Sequence, residues 1–307
     1  MNKATRNALW ARVNSTLAGL GPVWAQDIPG HMRQVVDAYT PLVAAAPQEG
    51  IQVTRDVAYG PHPRQILDLF QPDGARRAPV VMFVHGGAFV RGQKSLNGVI
   101  YDNVPAFFAR HGYLGVNVEF RLAPESTYPG GAADLALAVE WVRRSAADYG
   151  GDPGRIFLLG HSAGGCHVAT YAFDPIIGTQ PVPEIRGLIL VGARVRADTH
   201  PDNPNAHGVR AYFGDDPALY EKRSPVTWTE RSTLPVLVAA AEFENPYLDV
   251  YAAELYYRLS RMRQPGRRFV QLPGHNHTSA VAHLNSGDDR FGRQMLDFLA
   301  EAGGLHS

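Results

Sequence analysis

The sequence has little of several features that mark other classes of protein. Cys166 is the single cysteine among 307 residues, so no disulfide can form within the chain, as is usual in a reducing compartment. Lysine plus arginine and aspartate plus glutamate number 29 each, so the chain lacks the basic excess typical of nucleic-acid-binding proteins. We therefore expect no nucleic-acid partner.

Membrane, secretion and cofactor signals are also missing from the pattern. No apolar run approaches the roughly 18 residues that cross a bilayer, so no membrane span is expected. Lys3, Arg6 and Arg12 precede a mildly apolar stretch, but polar residues 14–16 interrupt it, which predicts a cytoplasmic rather than a secreted protein. Neither a Gly-x-x-x-x-Gly-Lys loop nor a His-Glu-x-x-His motif occurs, and we expect no cofactor and no metal.

The hydrophobic pattern predicts an α/β fold in which a mostly parallel central sheet is flanked by helices. Residues 1–48 show helical spacing in two pieces and form a separate N-terminal segment. Residues 49–307 form the catalytic domain, where strand and helix patterns alternate after an antiparallel hairpin over 51–70. Residues 192–232 fit neither period and contain four prolines, which indicates a lid insertion.

Two of the predicted helices each precede an apolar strand. One is predicted over 98–111, before the strand of residues 114–118. The other is predicted over 131–147, before the strand of residues 155–159, with Leu135, Leu137 and Trp141 among the side chains that face inward.

The strongest chemical signal is the segment Gly160-His161-Ser162-Ala163-Gly164. It follows an apolar strand and precedes a helical stretch, the context in which Gly-x-Ser-x-Gly presents a serine hydroxyl on a tight turn. The glycines remove side chains that would clash, and the helix after the serine directs its positive dipole end toward developing negative charge. Ser162 is therefore predicted to be a catalytic nucleophile.

A second signal lies at the end of an earlier apolar strand, in His85-Gly86-Gly87-Ala88-Phe89. Paired glycines let backbone N–H groups approach a substrate oxygen, and acyl transfer needs such donors because its tetrahedral intermediate carries an oxyanion. We predict that the N–H groups of Gly86 and Gly87 form this oxyanion hole, together with that of Ala163 after the nucleophile.

Together with Phe120-Arg121-Leu122-Ala123-Pro124-Glu125, these segments resemble the α/β-hydrolase fold. Within that fold the chain is similar to esterases related to hormone-sensitive lipase, and the resemblance covers roughly residues 50–302. Ala88 stands where that family has a third glycine. The stretch Gly92-Gln93-Lys94-Ser95 also resembles the arylformamidase branch of the fold, which leaves the ester or formamide nature of the scissile bond open.

The resemblance implies the order nucleophile, acid, base along the chain. His277 matches the late histidine of the family, and His275 is the alternative base. Glu244 matches the position of the usual catalytic aspartate, and Asp249 and Glu242 are the alternative acids. Either type of carboxylate can hold the imidazole tautomer and stabilise the imidazolium.

The resemblance also implies a helical cap, formed by residues 1–48 and by the 192–232 insertion over the nucleophile. Such a cap would enclose a mainly apolar pocket suited to small or medium acyl esters. Phe89, Tyr247 and Phe213 are the predicted substrate contacts. Relatives often dimerise, so a homodimer is a further expectation.

The sequence thus predicts a serine hydrolase that cleaves small-molecule carboxylic esters through an acyl-enzyme, with the triad Ser162, His277 and Glu244. Two alternatives remain. One is an arylformamidase or amidase that uses the same residues. The other is a non-catalytic binding protein on the same fold, because the fold alone does not imply function.

Overall fold

The computed structural model describes residues 1–177 and 183–304, so residues 178–182 and 305–307 of the predicted catalytic domain lie outside it. Eight strands form a single sheet at its centre. In chain order they are β1 (Ile51–Ala58), β2 (Ile66–Pro72), β3 (Ala78–Val84), β4 (Leu114–Val118), β5 (Gly151–His161), β6 (Ile185–Val191), β7 (Val236–Phe243) and β8 (Arg267–Asn276).

The strand order across the sheet is β1-β2-β4-β3-β5-β6-β7-β8. β2 runs antiparallel to both β1 and β4, and every other neighbouring pair is parallel. The predicted mostly parallel sheet and its antiparallel hairpin are therefore confirmed. In β3, Val80 to Val84 are at most 1% exposed, because helices cover both faces of the sheet.

Helices pack on the two faces of this sheet and form two hydrophobic clusters. One cluster joins the sheet to side chains such as Leu135, Val168 and Leu255, and the other joins it to Val35 and Phe107. In chain order the helices are α1 (Lys3–Leu20), α2 (Ile28–Ala44), α3 (Asn103–Arg110), α4 (Gly130–Ser145), α5 (Ala163–Phe173), α6 (Ala206–Phe213), α7 (Tyr220–Arg223), α8 (Leu248–Arg261), α9 (Ser279–Ala282) and α10 (Arg290–Ala302).

Two expectations about these helices are wrong. The helix predicted over 98–111 begins only at Asn103, because Gly98 and Tyr101 adopt positive φ angles of 74° and 78° that no α-helix contains. The amide of Asn103 explains the late start: its Oδ1 accepts from the Tyr101 N–H, and its Nδ2 donates to the carbonyl of Leu284. Leu137 does not face the sheet, and it is 44% exposed.

The N-terminal segment forms the two predicted helices, α1 and α2, joined by a 3₁₀ turn over Gly21–Gln26. This turn packs against the loop after β7. The Trp24 indole donates to the Asn245 side chain at 2.9 Å, and a Cβ on Gly21 would meet the Phe243 ring at 2.5 Å. The segment therefore closes over the carboxyl ends of the strands.

The 192–232 insertion is helical and carries α6, α7 and two 3₁₀ turns. α6 packs tightly on the loop after β3, because a Cβ on Gly208 would lie 2.1 Å from the Ala88 carbonyl oxygen. Both the insertion and the N-terminal segment thus contact loops at the carboxyl edge of the sheet, where ligand sites of open α/β sheets form.

Candidate active site

Ser162 occupies the turn between β5 and α5. Its backbone has φ 57° and ψ −120°, a conformation that non-glycine residues rarely adopt and that exposes the side chain at the end of the strand. Hydrogen bonds fix the turn: the Ser162 N–H donates to the Val191 carbonyl, and the Ser162 carbonyl accepts from the N–H groups of Cys166 and Arg194. The strain is therefore held in place by the neighbouring strand and helix.

The glycines around the serine are required by space. A Cβ on Gly160 would lie 2.5 Å from the Gly165 Cα, and a Cβ on Gly164 would lie 2.2 Å from the Val84 carbonyl oxygen. Real Cβ atoms do not approach other heavy atoms so closely. The Gly-x-Ser-x-Gly pattern therefore follows from close contact between α5, β5 and β3, as the sequence predicted for this turn.

His277 and Glu244 form a buried pair beside the nucleophile turn. The His277 Nδ1 donates to the Glu244 Oε2 at 2.6 Å, and the side chains are 8% and 2% exposed. The two oxygens of Glu244 also accept from backbone N–H groups, Oε1 from Ala241 at 3.0 Å and Oε2 from Asn245 at 3.3 Å. The carboxylate is thus held from three directions and fixes the histidine as the Nδ1–H tautomer.

Gly192, which follows β6, provides the space for this pair. Its φ is 49°, and a Cβ there would lie 2.8 Å from both the Glu244 Oε1 and the His277 Nδ1. We expect Gly192→Ala to separate the pair and to lower kcat about 100-fold, because misplacement of a catalytic group by about 1 Å costs that much. Ester turnover by the purified variant measures the effect.

The control for this prediction is Gly19→Ala, since no atom lies within 4 Å of a Cβ at Gly19. It should retain wild-type kcat. Wild-type kcat in the Gly192 variant would contradict the role given to this space.

The alternative acids and base lie elsewhere. His275 contacts Ser279, with 3.1 Å between its Nδ1 and the serine Oγ, and its Nε2 faces Asp288 at 3.7 Å. Glu242 is exposed and accepts from the Gly274 N–H, and Asp249 is exposed in the first turn of α8. Neither carboxylate is the hydrogen-bond partner of His277, which bonds to Glu244.

The loop after β3 is folded tightly against the nucleophile turn. Gly87 has φ 147°, and its carbonyl accepts from the Arg91 N–H, while Ala88 and Phe89 also adopt positive φ angles. His85 anchors the base of the loop through its Nε2, 3.0 Å from the Glu119 carboxylate. A Cβ on Gly86 would lie 3.0 Å from the Ser162 Cβ, so this loop and the serine are in contact.

The three predicted oxyanion donors differ in their surroundings. Gly86, Gly87 and Ala88 all line the cavity above Ser162, and Ala163 begins α5. Gly86 adjoins Tyr101: burial raises the pKa of Tyr101 to about 12, against a lowering effect of the Gly86 backbone. Ala88, which was not among the predicted donors, supplies a further N–H in the same loop.

A cavity of about 190 Å³ lies over Ser162. Its apolar wall includes Ile28 and Met32 of the N-terminal segment and Leu96. Polar side chains, among them Arg91 and Asn205, complete the wall. The residues that line the cavity are Ile28, Met32, Gly86, Gly87, Ala88, Arg91, Gly92, Leu96, Tyr101, His161, Ser162, Asn205, Asn245, His277 and Thr278.

The three predicted substrate contacts are absent from this wall. Phe89 and Phe213 are at most 1% exposed, and their rings pack on each other at 5.3 Å within a cluster under the insertion. Tyr247 stacks on Tyr251, and its hydroxyl donates to Asp202. In the structure these three aromatic side chains pack beside the loops around the cavity and do not line it.

Sequence reasoning missed several residues of the cavity, above all Tyr101, Arg91 and His161. Tyr101 was assigned to a helix that does not extend so far, and its positive φ had no signal in the pattern. His161 lies within the Gly-x-Ser-x-Gly segment and Arg91 lies two residues after Phe89, so proximity to a motif is the signal that could have identified them.

The described part of the chain holds no cluster of three or more histidine, cysteine or acidic side chains arranged to bind a metal ion. Cys166 is buried in α5, and burial raises the pKa of its thiol to about 12, so it is not a nucleophile at neutral pH.

Within residues 1–177 and 183–304, no helix is both long and apolar enough to span a membrane.

The chain is similar to a known protein family and to curated esterases. The BD-FAE family matches residues 67–173, which contain the loop after β3 and the nucleophile turn. Esterase LipQ of Mycobacterium tuberculosis is 31% identical over 255 residues, which cover 75% of this chain and 58% of LipQ. Esterase LipC of the same organism is 34% identical over 245 residues, which cover 73% of this chain and 59% of LipC. The chain therefore spans under three fifths of the length of these relatives.

Solved structures establish the fold. Esterase B from Lactobacillus rhamnosis superposes with a TM-score of 0.71 at 18% sequence identity, covering 98% of this chain and 97% of that chain. At this identity the likeness concerns architecture alone. The predicted α/β-hydrolase fold is confirmed, as is the resemblance to esterases built on it.

Proposed function

Because the chain has the α/β-hydrolase fold and is similar to curated esterases, we propose that it is a serine hydrolase of small-molecule carboxylic esters, with Ser162 as nucleophile, His277 as base and Glu244 as acid. The observation that carries the proposal is the bond of 2.6 Å between His277 Nδ1 and Glu244 Oε2, because His277 lines the same cavity as Ser162. A nucleophile, a base and a carboxylate that orients the base are the parts acyl transfer needs.

The reaction proceeds in two halves. The Ser162 Oγ attacks the ester carbonyl carbon while its proton passes to His277 Nε2, the nitrogen left free by the bond to Glu244. His277 then gives that proton to the leaving alkoxide as the C–O bond breaks, which releases the alcohol and leaves an acyl-serine. Water attacks the acyl-serine, His277 takes its proton and returns one to Ser162, and the carboxylic acid leaves.

The oxyanion is stabilised by backbone N–H groups of the loop after β3 and of α5. We assign Gly87 and Ala163 as direct donors. The N–H of Gly86, which lines the same cavity, is the third proposed donor, and the positive dipole end of α5 adds to the same field. Losing one such donor costs about 3 kcal/mol of transition-state stabilisation.

Two segments form the cap in this proposal: residues 1–48, through Ile28 and Met32, and the 192–232 insertion, through Asn205. The cavity of about 190 Å³ favours short acyl chains over long ones. The single cysteine supports a cytoplasmic location, and a homodimer stays a prediction.

The test of the proposed function compares p-nitrophenyl acetate, butyrate and octanoate with an N-formyl arylamine. The proposal predicts turnover of the esters, highest for the two shorter chains, and little turnover of the formamide. The stretch Gly92 to Ser95 favours the formamide as a second candidate, and preferential formamide cleavage would establish it. No turnover of any of them by the intact protein would favour a binding protein.

Arg91 gives a further prediction about the acyl group. Its guanidinium donates to the neutral Asn205 side chain at 3.3 Å, and no described residue that lines the cavity is acidic. We expect a terminal carboxylate on the acyl chain to raise kcat/KM by about 3- to 10-fold at low salt, because a weakly compensated cation attracts it and salt screens the attraction.

The measurement compares mono-p-nitrophenyl succinate with p-nitrophenyl butyrate, which differ at the end of a short acyl chain. Arg91→Gln should abolish the difference between the two esters, and Arg91→Lys should retain part of it. Equal kcat/KM values for both esters in the wild type at low salt would contradict the role of this charge.

A further inference from the structure

His161, the residue before the nucleophile, takes no part in the proposed proton transfers, yet it contacts the catalytic base. It ends β5, is 3% exposed and lines the cavity between Ser162 and His277. Its Nε2 lies 3.0 Å from the backbone carbonyl oxygen of His277. The two imidazole rings also lie face to face, with centroids 4.6 Å apart and planes 32° from parallel.

The hydrogen bond determines the tautomer of His161. A carbonyl can only accept, so the proton is on Nε2, and Nδ1 keeps its lone pair. The Nδ1 atom is buried and has no hydrogen-bond partner among the described residues. In the opposite tautomer the buried Nδ1–H would have no acceptor, and the lone pair of Nε2 would face the lone pairs of the His277 carbonyl oxygen. Both changes are costly inside a protein.

His161 is also kept neutral. Burial and the neighbouring His277 lower its pKa well below the ordinary value for histidine. A neutral ring can pack against His277 when His277 takes up the serine proton, whereas a second imidazolium at 4.6 Å would oppose that step.

These contacts connect the two reacting residues. His161 is covalently joined to Ser162, and its side chain holds the carbonyl of His277. On the opposite side, the His277 N–H donates to the Phe243 carbonyl of β7. The backbone of His277 is therefore hydrogen-bonded to Phe243 through its N–H and to the His161 side chain through its carbonyl.

From this geometry, and resting on the proposed function, we infer that His161 is a positioning residue that sets the distance and orientation between Ser162 and His277 through its Nε2–H bond to the His277 carbonyl. The second position of Gly-x-Ser-x-Gly in this chain thus carries a specific donor.

Three substitutions distinguish the contribution of the Nε2–H donor of His161 from the contribution of its ring. His161→Gln places an amide N–H near the position of Nε2, His161→Asn is too short to reach it, and His161→Phe keeps the ring but removes the donor. For p-nitrophenyl butyrate we expect kcat to fall about 10- to 100-fold in the Phe and Asn variants, with KM changed less than threefold. The Gln variant should stay within about fivefold of wild type.

The matched control is His111→Phe, since His111 lies at the end of α3 outside the cavity and bonds to the Phe107 carbonyl. Melting temperatures are recorded for every variant. The inference stands if kcat is high in the variants that keep the donor and low in those that lack it, while the Phe and Gln variants have the same melting temperature. It is overturned if the Phe variant keeps wild-type kcat, or if kcat follows melting temperature alone.

The outcome is distinguishable from failure of the proposed function. If the wild type turns over esters and loses this activity in Ser162→Ala, the function holds, and the His161 variants decide the inference by themselves. If the wild type turns over no ester, both fall.

Discussion

Replacement of Ser162 by alanine is expected to lower kcat for p-nitrophenyl butyrate on the order of 10⁵-fold, the largest effect of any single substitution in this protein. In the proposed mechanism this hydroxyl forms the acyl-enzyme, so its loss would leave direct attack by water on an ester held in the oxyanion hole. The residual rate comes from binding and from backbone donors that alanine does not disturb.

The fold should tolerate this change. The backbone bonds of residue 162, to Val191, Cys166 and Arg194, involve no side-chain atom. We therefore expect the melting temperature of Ser162→Ala to stay close to that of the wild type. Ser260→Ala, in an exposed turn of α8, is the matched control and should keep full activity. Persistent ester turnover in the Ser162 variant would show that another residue is the nucleophile.

Glu244→Gln is the substitution with the second largest expected effect, a fall in kcat of about 10³- to 10⁴-fold. Both carboxylate oxygens accept from N–H groups, so the amide nitrogen of glutamine must confront a donor: the Ala241 N–H on one side, or the Asn245 N–H and His277 on the other. Even in the better orientation, a neutral amide does not stabilise the imidazolium that forms during attack.

A comparison with Glu242 makes this prediction specific to Glu244. Glu242→Gln changes the same chemical group two residues earlier, where the side chain is exposed and accepts only from Gly274 among the described contacts. It should cost less than about threefold in kcat. Equal losses in the two variants, or full activity in Glu244→Gln, would refute the assignment of the acid. Kinetics over pH 5 to 9 for all three proteins provide the measurement.

The order of the elements could be predicted from the sequence because each depends on a local pattern. The run over Val80 to Val84 is continuous and apolar since both faces of β3 are covered. The nucleophile turn was recognisable for the same reason: the strand, the glycines and the helix that specify it are adjacent in sequence.

The wall of the cavity could not be predicted, because it is assembled from distant segments. An aromatic residue near a motif has the same sequence signature whether it faces substrate or other aromatic rings. Phe89 stacks on Tyr212 at 4.7 Å, a contact across more than a hundred residues that no local pattern encodes. Tyr101 reaches the cavity through a left-handed backbone stabilised by the Asn103 side chain, again without a pattern of its own.

Leu137 shows a different limit. Successive residues of an α-helix are about 100° apart, so Leu137 lies on the face opposite Leu135 and Val139, which are both buried. Its exposure is therefore what helical spacing predicts, and the expectation that it faces inward rested on its apolar character alone.

The most direct test of the catalytic assignment is to identify the residue that becomes covalently modified. The intact protein is treated with diethyl p-nitrophenyl phosphate, which phosphorylates an activated serine, and is then digested and examined by mass spectrometry. We predict one diethylphosphoryl group per chain, on the peptide that contains Ser162, with complete loss of ester turnover and no label in Ser162→Ala. A label on another residue, or undiminished turnover by the fully treated protein, would contradict the assignment.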